Sequence, residues 1–64
     1  MKKPTKRTFE KVLEYGRWLQ ASNPTEIYFV IYDKEKERWG LVDENGLREL
    51  DIRNWDYEIH ATID

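Results

Sequence analysis

Cysteine is absent from this 64-residue chain, histidine occurs once and proline twice. Without cysteine there is neither a disulfide framework nor a thiolate metal site, so a domain near the lower size limit for independent folding must be held by packing alone. The longest apolar run is Ile27 to Tyr32, too short to span a bilayer. The opening MKKPTKR leads into an amphipathic segment in place of the apolar stretch of a signal peptide, and the expectation is a soluble, cytoplasmic protein with no membrane contact. No serine, cysteine or second histidine is placed to make a nucleophile and base with the lone His60, which argues against that kind of enzyme.

Aromatic residues make up 14% of the chain, and they must supply much of the core. The formal charge of −2 conceals an asymmetry. Six basic side chains (Lys2, Lys3, Lys6, Arg7, Lys11, Arg17) face only Glu10 and Glu14 in residues 1–20, whereas residues 21–64 carry five basic against eleven acidic groups. A basic arm is joined to an acidic body, and each suits a different partner or the other.

Residues 1–7 contain a proline, dense like charge and little apolar surface, which predicts a flexible basic arm ahead of a single small domain over 8–64. Lys2, Lys3, Lys6 and Arg7 are expected to sample the face carrying Asp56 and Glu58. Thr8 is the expected N-cap of a helix over 8–22, with Glu10 in its first turn. Phe9, Val12, Leu13, Gly16 and Leu19 share one stripe of that helix, and Gly16 marks a close approach to a sheet. Asn23 in a left-handed conformation followed by Pro24 is expected to end it.

The remainder reads as strands. EIYFVIYD is apolar on both faces, as a central strand would be. RWGLVD and LRELDI flank Asn45-Gly46, a strong type I′ hairpin signal, which sets Leu41 against Leu50, Trp39 against Ile52 and Asp43 against Arg48. WDYEIHATI alternates, so Trp55, Tyr57, Ile59, Ala61 and Ile63 are expected on one face. A tight link at Arg53-Asn54 would set Asp51 against Asp56 and Glu49 against Glu58, like charges that disfavour pairing. The predicted fold is α+β: one N-terminal helix packed on a four-stranded antiparallel meander, strongly curled or partly closed into a barrel so that the second face of the first strand is covered.

RWGLVDENG, residues 38–46, resembles the opening of the tryptophan-glycine repeats found in tandem in some bacterial proteins. The resemblance covers nine residues and occurs once; a single copy has no neighbour to stack on, and it implies no function.

Two surfaces are candidates. Asp56, Glu58 and His60 alternate along one strand at ~7 Å per step, with Glu49 and Asp51 as neighbours. Carboxylates and an imidazole suit a divalent cation or an acid/base pair, but strand side chains at this spacing run parallel instead of converging. The expectation is a solvated acidic face, with no catalytic, cofactor-binding or metal-ligating residue. Trp18 falls on the polar side of the helix, beside Lys11, Tyr15 and Arg17, where it contributes nothing to a core and suits a contact surface. These features favour a non-enzymatic interaction protein of the phage- or bacterial-accessory kind, binding another protein through the aromatic patch and charged faces, as a monomer or weak homodimer. Two alternatives are a designed or selected scaffold without biological function and a nucleic-acid-associated protein using the basic arm, against which the acidic body counts.

Overall fold

The computed structural model describes residues 8–64, so the arm with Lys2, Lys3, Lys6 and Arg7 lies outside the described residues. The architecture is α+β, with helix α1 (Phe9–Ser22), strand β1 (Tyr28–Asp33), strand β2 (Arg38–Asp43), helix α2 (Glu44–Ile52) and strand β3 (Tyr57–Ile63). The sheet has three strands in the order β2-β1-β3, with both outer strands antiparallel to β1. It is open, and among the described residues no fourth strand closes it.

Thr8 starts α1: it is extended, and its hydroxyl oxygen accepts from the Lys11 N–H at 3.1 Å, satisfying one of the orphan donors of the first turn. At the other end Asn23 is not left-handed, with φ at −133°. Its N–H instead donates to the Gln20 and Leu19 carbonyls, and its side-chain amide donates to Leu19 O at 3.1 Å.

The expected third strand is a helix. Asp43, expected to pair with Arg48 across a hairpin, is the N-cap of α2 and accepts from the Gly46 N–H at 2.8 Å, with Glu44 in the first turn. No glycine has positive φ, so Asn45-Gly46 makes no type I′ turn. A Cβ at Gly46 would lie 3.1 Å from Val42 Cβ, so the start of α2 lies close against β2. Arg53-Asn54 is likewise no strand link. Asn54 sits at φ 56°, the Asn54 N–H donates to Asp51 O and the Trp55 N–H to Leu50 O, the two bonds of a Schellman cap.

This helix also replaces the expected barrel. β2 and β3 run parallel on either side of β1, so the chain between them must cross a face of the sheet. α1 occupies one face, where Val12, Val30 and Ile63 form the buried core with Phe9, Leu13, Tyr28, Trp39, Leu41 and Ala61 around them. α2 and the loop after it lie against the other, where Ile31 is buried, Gly46 touches Val42 and the Trp55 indole N–H donates to Asp33. Both faces of β1 are therefore covered by helical segments rather than by curling.

The pairings follow. Leu41 lies opposite Val30 and Trp39 opposite Tyr32, not opposite Leu50 and Ile52. On the other side Ala61 lies opposite Val30 but Ile59 opposite Ile31, leaving His60 as the extra residue of a β-bulge. The bulge breaks the expected alternation: Ala61 and Ile63 face α1, whereas Ile59 and Tyr57 face the other side.

Asp33 ties the end of the sheet together. One carboxylate oxygen accepts from the Glu35 and Lys36 N–H groups, both at 3.0 Å, and from Trp55 Nε1 at 2.9 Å. Burial is the largest single influence on this carboxyl and acts upward, but the three hydrogen bonds with the Arg38 charge outweigh it and hold the group below its usual range. Alongside, the Lys34 N–H donates to Asp56 O and the Asp56 N–H to Glu35 Oε2. The four-residue turn ends on Glu37 at φ 54°, a left-handed position that costs an ordinary residue ~1–2 kcal/mol. Glu37→Gly removes that cost at some loss of unfolded-state restriction, and chemical denaturation should show a gain of ~0.5–1 kcal/mol.

Candidate functional site

With Val12 and Gly16 turned to the sheet, the period of α1 leaves Glu10, Lys11, Glu14, Arg17 and Trp18 on its outer face, all exposed. Trp18 is 63% exposed and Tyr15, at the flank, 50%. Their rings stack at 6.0 Å between centroids and 17° between planes, so each holds the other in place without covering it. Trp39 and Trp55 are half-buried. Open grooves border the ridge on both sides. One runs between Leu13, Arg17 and Gln20 and the Ala61–Asp64 end of the chain, the other between Tyr15 and Leu19 and the Tyr28, Leu41 and Gly46 surface.

Because the ring of Trp18 touches little of the core, Trp18→Ala should change folding stability by no more than ~0.5 kcal/mol. In single-tryptophan variants, acrylamide should quench Trp18 much more strongly than Trp39 or Trp55, and equal protection of all three would contradict this placement.

The residues expected to share an acidic face are spread out. Glu49 and Asp51 belong to α2, where Glu49 pairs with Arg53 at 3.9 Å and Asp51 accepts from the Tyr57 hydroxyl at 2.5 Å. That hydrogen bond is the main reason the Tyr57 phenol sits above its usual range, with burial adding to it. Asp56 lies in the loop tied to Lys34 and Glu35. Only Glu58 and His60 meet, at 3.2 Å, and Glu58 also pairs with the Lys34 ammonium at 3.2 Å. The Lys34 hydrogen bond first, then that from His60, holds the Glu58 carboxyl low, and the same contact raises the Lys34 ammonium. Among the described residues no three His, Cys, Asp or Glu side chains are grouped to hold a metal ion.

His60, expected on a solvated face, lies against aromatic rings instead. The bulge sets its ring edge-on to Trp39 at 4.8 Å and near Phe9 at 6.5 Å, and Trp39 also packs on Phe9 at 5.2 Å and Tyr32 at 5.1 Å. This cluster closes the core where α1 begins. The Asp33 to Arg38 hairpin, whose four-residue turn places Tyr32 opposite Trp39, accounts for the contact between those two rings but not for the approach of His60.

No protein-family model, curated protein or solved structure matches this chain. Among the described residues no helix is long and apolar enough to cross a membrane.

Proposed function

We propose that this protein is a non-enzymatic interaction module that docks on another polypeptide through the outer face of α1. The observation that carries the reading is Trp18, 63% exposed on the side of the helix that points away from the core and stacked on Tyr15. Trp, Tyr and Arg dominate the energetics of protein interfaces, because they bury large area with few rotatable bonds, and this ridge carries all three with Arg17. The other aromatic cluster, around Trp39, is packed on itself and offers no comparable surface.

The test is a comparison of captures with immobilised protein, nuclease-treated, using the wild type, Trp18→Ala, Tyr15→Ala and a Glu58→Gln control. The reading expects a polypeptide retained by the wild type and the control and lost from both aromatic variants. Retention unaffected by Trp18→Ala, or dependent on nucleic acid, overturns it.

A further inference from the structure

Asn45-Gly46 makes no hairpin, but the pair carries a reactivity that the start of α2 holds in check. In an open chain the Gly46 amide nitrogen can attack Cγ of Asn45, because glycine has no Cβ to obstruct the approach. The new N–Cγ bond expels the side-chain nitrogen as ammonia and closes a succinimide ring. Water then opens the ring, at the side-chain carbonyl to give aspartate or at the main-chain carbonyl to give isoaspartate, whose backbone runs through Cγ. The balance is an amide and one water for a carboxyl group and ammonia, with no change of oxidation state. The other two asparagines are poorer sites: Asn23 precedes a proline, which has no N–H, and Asn54 precedes the bulky Trp55.

The structure opposes this reaction at two points. Ring closure needs the Gly46 nitrogen to eclipse the Cβ of Asn45, whereas Asn45 is the second residue of α2, where helical ψ of ~−42° turns that nitrogen aside. The Gly46 N–H, one of the first-turn donors without an intrahelical acceptor, is also held by Asp43 Oδ1 at 2.8 Å. Asn45 itself is exposed, so water is always at hand.

We infer that Asn45 is a site of spontaneous deamidation and isoaspartate formation, at a rate set by opening of the Asp43–Gly46 cap. Local opening of a helix end takes less free energy than unfolding the domain, so the reaction proceeds from the folded protein. Its two products act on α2 in opposite senses. Aspartate at position 45 adds a negative charge to the first turn, where the helix dipole favours it. Isoaspartate inserts a methylene into the backbone between Asp43 and Gly46, which pulls the cap apart and loosens the segment lying against Val42.

The full chain, kept at mildly alkaline pH and physiological temperature and sampled by peptide mapping that separates asparagine, aspartate and isoaspartate, tests this. In urea Asn45 should convert well ahead of Asn23 and Asn54, and in buffer more slowly than in urea. Asp43→Ala should speed the conversion in buffer about fivefold, the weight of one N-cap, and Asp43→Ser, which also caps, should restore the slow rate. Each rate is taken relative to that variant's own rate in urea, which removes any effect of position 43 on the chemistry itself. Thr8→Ala, which removes the equivalent cap from α1, should leave the rate unchanged, because the opening is local to α2. Hydrogen exchange through α2 should be faster in the purified isoaspartate form than in the wild type, and no faster in Asn45→Asp. An Asn45 that stays intact, converts as fast in buffer as in urea, or responds equally to Asp43→Ala and Thr8→Ala overturns the inference, as does an isoaspartate form with unaltered exchange.

Discussion

Gly16→Val is expected to leave the protein at the edge of unfolding at room temperature. A Cβ at Gly16 would lie 2.5 Å from Ile63 Cδ1 and 2.9 Å from Leu41 Cδ1, inside contact distance of both. The ends of both side chains can shift aside for a single methyl, but Ile63 is buried and Leu41 half-buried, so they cannot also clear room for the two further methyls of a valine. Overpacking of this kind costs ~3 kcal/mol, comparable with the whole stability of so small a domain. Gly16→Ala behaves differently. Its single methyl meets the flexible ends of two side chains, and the gain of ~1 kcal/mol in helix propensity offsets much of the strain, so its net effect stays within ~1 kcal/mol. Urea denaturation of the two variants checks the contrast, and a Gly16→Val protein as stable as the wild type would mean that α1 does not lie so close to the sheet.

Asp33→Ala should cost ~2–3 kcal/mol, since one partly buried carboxylate oxygen receives three hydrogen bonds and its loss leaves the Trp55 indole N–H and two turn N–H groups without that acceptor. The substitution should also alter the acid limb of stability. The folded carboxyl titrates below its unfolded value, so its contribution is present above pH ~4 and is lost as pH falls through the lower folded value. The wild type should therefore lose stability faster than Asp33→Ala as the pH falls below ~4, the two curves drawing together toward the acid end. Parallel curves would show that the hydrogen bonds to Asp33 do not favour its charged form.

The parts of the fold legible in the sequence are those with a local cause. Thr8 followed by a helical stripe marks α1, and the dense β-branched and aromatic run marks β1. What failed was the choice between two readings of one short stretch. Asp43-Glu44-Asn45-Gly46 is both a hairpin signal and a helix N-terminus, and the second prevails because Asp43 caps Gly46 while the half-buried Leu47 and Leu50 recur at helical spacing. Asn54 is likewise both a turn residue and a helix C-terminal cap. Once α2 replaces a strand, the second apolar face of β1 is covered without curling, and the supposed acidic ladder of Glu49, Asp51, Asp56 and Glu58 never forms. The exposed ridge of α1 was legible because a helix phase is local. The aromatic contacts of His60 were not, because a bulge depends on tertiary fit rather than on alternation.

The bulge at His60 has a further consequence for behaviour in a crowded solution. β3 is an outer strand, and an uninterrupted run of seven residues there would be a template for strand-to-strand polymerisation. The extra residue divides it into two straight pieces, Tyr57–Ile59 and Ala61–Ile63, whose outward amides and carbonyls are out of step with each other. An incoming strand that matches the spacing of one piece misses the other, so growth by sheet extension stalls after about three residues.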